Sequence, residues 1–168
     1  MQLVMIRHAI AEDQKEFALT GRPDAQRPLT HDGVDKMKRG VRGLREIVPE
    51  INLIATSPYV RAVETAKILA GAYKDVRTVI IHELVPTETG DAFVLWLREL
   101  KGVPVVAVVG HEPHLSKLAS WLLTGHARSF IDLKKGAALA MEFEGAPAGG
   151  AGVLLWALMP RQLRQIER

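Results

Sequence analysis

The chain has 168 residues, 48% of them hydrophobic, enough for one domain burying roughly 70% of its unfolded surface, and we read residues 1–168 as such a domain. Having no cysteine, it forms no disulfide or thiolate zinc site and has no cysteine nucleophile. Its 22 Lys and Arg are interspersed with 19 Asp and Glu for a formal charge of +3, and no apolar run approaches the roughly 20 residues of a membrane span, so a soluble, cytoplasmic, non-exported protein with neither a nucleic-acid nor a membrane partner is expected.

Residues 2–6 read as a short buried strand, Leu3-Val4-Met5-Ile6, with Arg7-His8 at its carboxyl end. From His8 to Arg27 the pattern is polar and weakly periodic, and a long loop is expected, a kind of segment that often carries function. Thr30 then caps a helix whose apolar positions Val34, Met37, Val41, Leu44 and Val48 recur at helical spacing, with Pro49 just past its end. Lys36, Lys38, Arg39, Arg42 and Arg45 cover its other face, read as solvated in preference to a docking surface for an acidic partner.

Leu53 to Thr56 form a second short strand, and Ser57-Pro58 supply an N-cap and an N1 proline for a helix running to about Ala72. Arg77 to Ile81 read as a third strand, Asp91 to Leu100 as a helix, and Val103 to Val109 as a fourth strand, apolar enough to be buried on both faces. His114 to Leu123 form another helix. Ala137 to Phe143 and Val153 to Leu158 are two closing strands around the glycine-rich connection Gly145 to Gly150, and a short helix follows from Pro160. This alternation predicts an α/β sandwich with a mostly parallel sheet and helices on both faces.

Three strand ends carry polar groups of one chemical kind: Arg7-His8 after the first, Ser57 to Arg61 after the second, and Gly110-His111 after the fourth. Parallel strands deliver their carboxyl ends to one edge, where open α/β sheets bind ligands. Two arginines, two histidines and a helix N-terminus converging there make a pocket for a doubly charged anion, because guanidinium forks match phosphate oxygens and helix amides add positive potential. His111 and His114, with Glu112 between them, also admit a metal-ligand reading. The favoured reading puts His114 in the first turn of its helix, facing solvent.

Arg7-His8-Ala9, Ser57-Pro58-Tyr59-Val60-Arg61-Ala62 with Glu64-Thr65-Ala66, and Gly110-His111 resemble, in order, the three signatures of the histidine phosphatase superfamily. The resemblance spans residues 2 to about 125 and implies a three-layer, phosphoglycerate mutase-like fold. It also implies that His8 is the nucleophile, attacking phosphorus in line to form a phosphohistidine that water then hydrolyses, since a neutral imidazole is competent near pH 7. Arg7, Arg61 and His111 would bind the non-transferring oxygens, and no metal or other cofactor is required. Ser57 and Thr30 are candidates to touch phosphate, with capping the favoured role for each. Family members place a carboxylate after the third strand, which points to Glu83 as general acid and Glu88 as second candidate.

Arg-His-Ala, and a length spent almost wholly on the core, resemble the SixA-type branch of phosphohistidine phosphatases. Few residues remain for a lid, and an open pocket admits a phosphorylated side chain of another folded protein. The expected substrate is therefore phosphohistidine on a signalling protein. Its imidazole leaving group is far less basic than an alkoxide and asks less of the acid. The alternatives are a small-molecule phosphomonoesterase acting on a sugar or nucleotide phosphate, and a non-catalytic phosphate-binding module.

Overall fold

The computed structural model describes residues 1–166; residues 167 and 168 of the expected domain lie outside the described residues. Its elements are β1 (Gln2–Arg7), α1 (Gln14–Ala18), α2 (His31–Ile47), β2 (Leu53–Thr56), α3 (Val60–Ala70), β3 (Arg77–Ile80), α4 (Gly90–Glu99), β4 (Val105–Gly110), α5 (His114–Thr124), β5 (Ala138–Glu142), β6 (Val153–Leu158) and α6 (Pro160–Ile166). The strands form one sheet in the order β3-β2-β4-β1-β5-β6. β3, β2, β4 and β1 run parallel, and β5 and β6 join antiparallel at one side.

The central strands are apolar between their ends, Leu3 to Ile6 in β1 and Val105 to Val109 in β4, because both of their faces are covered. In β1, Val4 and Ile6 pack with Met37, Val41 and Leu44 of α2, with Ala62, Ala66 and Leu69 of α3, and with Leu163 of α6. Leu3 and Met5 face the other way, onto Phe93 and Leu97 of α4 and Leu115, Leu118 and Leu122 of α5. The two-residue period of the strand thus divides one continuous run of buried side chains between two cores. The result is a three-layer α/β sandwich with a mostly parallel sheet.

Local chemistry sets the helix starts. Thr30 caps α2, its side chain accepting from the Gly33 amide at 2.9 Å. The segment from His8 to Arg27 is more structured than expected. It holds α1, capped by Asp13, which accepts from the Lys15 and Glu16 amides, and a 3₁₀ turn at Asp24–Gln26. Five residues are too few to show helical periodicity, and buried Phe17 is what anchors α1. A second correction concerns α3: its N-cap is Tyr59, with no side-chain cap, so Pro58 and Ser57 stand one and two positions before the cap. The Ser57 hydroxyl is committed to His111 instead.

Order and register position the site. β4 lies between β2 and β1, with Arg7 opposite Gly110 and Thr56 opposite Val109. The residues that follow these strands, His8, His111 and Ser57, therefore emerge side by side. β3 lies at the sheet edge beyond β2, so what directly follows it begins farther away.

Candidate active site

His8 is 5% exposed and fixed on every side. Its amide donates to the Gly110 carbonyl at 3.0 Å, and the Gly136 amide reaches the Arg7 and His8 carbonyls, both at 3.1 Å. Gly136 has a φ of 80°, a left-handed conformation suited to glycine, and this turn brings its N–H back onto the end of β1. His8 Nδ1 lies 2.7 Å from the Ala9 carbonyl oxygen. A carbonyl can only accept, so Nδ1 carries the proton and Nε2 keeps its lone pair. The Ala9 amide in turn donates to Thr65 Oγ1 at 3.0 Å, and the Thr65 hydroxyl donates to the Arg61 carbonyl at 2.7 Å. Thr65, one turn along α3, so holds the residue whose carbonyl orients the His8 ring.

The arginines are equally constrained. Arg7 donates to the Leu133 carbonyl at 2.6 Å. Arg61 donates to the Asp24 carbonyl at 2.9 Å and lies 3.0 Å from the Asp24 carboxylate, which also receives Arg27 at 2.8 Å. Burial alone would raise the pKa of Asp24, but its bonds to Arg27 and Arg61 keep it lowered. The 3₁₀ turn inside the expected loop thus serves as a clamp on Arg61. Tyr59 links the groups, its ring 4.9 Å from both the Arg61 guanidinium carbon and the His111 ring.

His111 is 2% exposed, its ring 5.1 Å from that of His8. Its Nε2 lies 2.8 Å from Ser57 Oγ, which also accepts from the Tyr59 amide at 3.4 Å. Burial lowers the pKa of His8 to about 3, with Arg61, Arg7 and Lys135 acting in the same direction and the Ala9 bond opposing. Burial likewise lowers His111 to about 2, reinforced by His8 and Arg61. Both rings are neutral at pH 7. Arg7 Nε, Arg61 Nε and His111 Nδ1 are buried with no hydrogen-bond partner among the described residues. Buried polar groups are normally satisfied, so this set suits an anion with several acceptor oxygens.

Arg7, His8, Arg61 and His111 line one cleft of about 470 Å³ together with Asp24, Arg27, Glu112 and Lys135. Glu83 is not brought to this cleft: it stands half-buried in a 3₁₀ turn, His82–Leu84, anchored by buried Leu84. Because β3 is the edge strand, the chain reaches the cleft rim only at Pro86. Glu88 lines a neighbouring cavity instead, with His114, Lys117 and Trp121. His114 is buried, contrary to expectation, and neither ring nitrogen has a partner among the described residues. Thr30 stays a helix cap.

Among the carboxylates that line the cleft, Glu12, Asp13, Asp24 and Glu112, Asp13 is committed to the α1 cap and Asp24 to the arginines, and Glu112 is half-buried. Burial raises its pKa, against an opposing 2.7 Å hydrogen bond from Ser116. In the sequence it stood only as the spacer between two histidines. Asp24 and Lys135 were equally unmarked, whereas Thr65 stood within the second signature, at helical spacing from Arg61.

The profile of the histidine phosphatase superfamily, branch 1, matches residues 3–92, more than half of the chain. A protein of Picosynechococcus sp. described as uncharacterised is 33% identical over 137 residues, 80% of this chain and 81% of that protein. The phosphohistidine phosphatase SixA of Escherichia coli is 25% identical over 170 residues, covering 99% of both chains. Among solved structures, the protein histidine phosphatase SixA complexed with tungstate superposes with a TM-score of 0.83 at 24% identity, covering 97% of this chain and 99% of that one. The alpha-ribazole phosphatase of Shigella flexneri shares the fold at a TM-score of 0.70 and 19% identity, over 89% of this chain and 94% of its own. The chain belongs to the histidine phosphatase superfamily and is a phosphate-cleaving hydrolase of that family.

Proposed function

We propose that this protein removes phosphate from phosphohistidine on a protein partner, through a covalent intermediate on His8. The observation that carries the reading is the 2.7 Å bond from His8 Nδ1 to the Ala9 carbonyl. It leaves Nε2 unprotonated in a cleft shared with Arg7 and Arg61. The Nε2 lone pair attacks phosphorus, the bond from phosphorus to the substrate imidazole breaks, and that nitrogen takes a proton from Glu112. Water then attacks the phosphoryl group, the Nε2–P bond returns its electron pair to His8, and the Glu112 carboxylate accepts the water proton. Phosphate leaves, and Glu112 is protonated again.

Arg7 and Arg61 stabilise charge on the non-transferring oxygens. Ser57 Oγ, already accepting the Tyr59 amide, donates its hydroxyl proton to His111 Nε2, and His111 Nδ1–H serves as a third donor to phosphate. Resemblance to SixA over nearly the whole chain supports the phosphohistidine substrate. One observation favours a small phosphate ester: an acid of raised pKa lines the cleft, which an alkoxide leaving group needs more than an imidazole does. Parallel kinetics on a phosphohistidine protein and a panel of sugar and nucleotide phosphates test the choice. We expect the higher kcat/KM on the phosphoprotein; a higher value on any ester of the panel overturns that reading.

A further inference from the structure

Beside the cleft, across the 134–137 turn, a second groove of about 370 Å³ runs along the seam between α2 and α6. It exists because α6 packs very closely on α2: a Cβ at Gly43 would collide with the Leu163 carbonyl. That approach fixes where α6 presents Arg161, in its first turn, and Arg164, in its last. The floor is apolar, with Ile10, Met37 and Met159 among its residues. The charged residues that line it are all cations, Lys36, Lys134, Lys135, Arg161 and Arg164, and no carboxylate lines it among the described residues. Lys36 is paired with Asp32 and Lys134 with Asp132. Lys135, Arg161 and Arg164 have no ion-pair partner among the described residues.

Lys135 lines both the groove and the cleft. The chain running from Ala9, which lines the groove, back to His8, which lines the cleft, is a single peptide step. A substrate with its phosphoryl group at His8 therefore has its adjoining surface at the mouth of the groove. The contrast with the cleft is informative, since there Asp24 offsets Arg27 and Arg61, whereas in the groove Lys135, Arg161 and Arg164 meet no carboxylate in an ion pair among the described residues.

We propose that this groove receives an acidic segment of the phosphorylated protein, with carboxylates set against Lys135, Arg161 and Arg164 and one apolar side chain seated on the Met37 and Met159 floor. The inference rests on the phosphoprotein reading given above. An apolar floor with a cationic rim matches an acidic polypeptide carrying an occasional apolar residue. The rim contributes mainly encounter and register, so selectivity falls in KM and weakens with salt.

The test uses two synthetic phosphohistidine peptides, one flanked by aspartates and a leucine, the other by asparagines and the same leucine. Wild type should favour the acidic peptide by at least about tenfold in kcat/KM, mainly through KM. Raising salt from about 0.05 M to about 0.5 M should remove most of that preference. Arg161→Glu/Arg164→Glu should abolish or reverse the preference, and Arg161→Lys/Arg164→Lys should restore it. Equal kcat/KM on both peptides in wild type overturns the groove and leaves the phosphohistidine reading standing.

A binding arm separates the two failures. Fluorescence anisotropy of the unphosphorylated acidic peptide should report binding to wild type that the double glutamate variant loses. If neither phosphohistidine peptide is hydrolysed, the substrate reading fails while binding still decides the groove. No binding, or tighter binding of single-stranded DNA or anionic vesicles than of the peptide, overturns it.

Discussion

His111 and His114 are both buried, at 2% and 6% exposure, and burial is the main cause lowering the pKa of each. Their surroundings differ. His111 follows β4 at the centre of the sheet, where the ends of β1 and β2 supply His8 and Ser57 beside it. His114 lies one helical turn on, in a cavity bordered by the loop after the edge strand β3, and its ring meets no hydrogen-bonding partner among the described residues. Burial and a shifted pKa are common to both regions; convergence of chemically matched groups from adjacent strand ends belongs to one. The comparison teaches that sheet order does more to make the site than the titration behaviour of any single residue.

The largest expected effect lies at the convergent site. His8→Ala should reduce turnover by at least ~10³-fold in single-turnover kinetics, because no other group in the cleft can take over the covalent step. Arg61→Ala should cost about 2 to 4 kcal/mol of transition-state stabilisation in kcat/KM; an effect below about tenfold would remove Arg61 from phosphate binding. Glu112→Gln should lower kcat by ~10²-fold on an alkyl phosphate and by about tenfold or less on phosphohistidine, since the better leaving group needs less proton donation. Equal losses on both would deny Glu112 the acid role.

Stability should report the same contrast. The unfolded state binds protons at His8 and His111 near pH 6.5, whereas the folded state resists protonation down to about 3 and about 2 respectively. Each contributes stability present above pH 6.5 and lost as pH falls through that window, by up to about 1.4 kcal/mol per unit. Urea midpoints measured from pH 7 to pH 4.5 should fall, and His8→Asn should flatten the slope. At the unpartnered cavity the effects are smallest. His114→Leu should change kcat/KM by less than about threefold and leave stability unchanged or raised, because it removes a buried polar ring with no partner. A large loss of activity would show that the two regions are one site.

The alternation of apolar and amphipathic segments made the sandwich legible in the sequence, and the polar ends of its first, second and fourth strands made His8, Arg61 and His111 legible as a group. What stayed hidden depends on three-dimensional order. Glu83 looked suitable because it follows the third strand, but β2 and β4 both stand between β3 and β1 in the sheet. Glu112 was masked by its histidine neighbours, and His114 appeared to face solvent because helical spacing alone does not show which loop folds over a first turn. Asp24 lies in a polar segment without periodicity, and its clamp on Arg61 spans 37 positions. The Ser57-Pro58 pair reads locally as a helix cap, yet the bond to His111 draws Ser57 away from that role.

The central claim is that the Ala9 carbonyl fixes His8 so that Nε2 takes the phosphoryl group. Rapid mixing with a ³²P-labelled phosphohistidine protein, an alkaline quench that preserves phosphohistidine, and identification of the labelled residue and ring nitrogen test it most directly. The account predicts label on His8 at Nε2 and none in His8→Ala. Label at Nδ1, label on another residue, or turnover with no phosphoenzyme at any time point would contradict it.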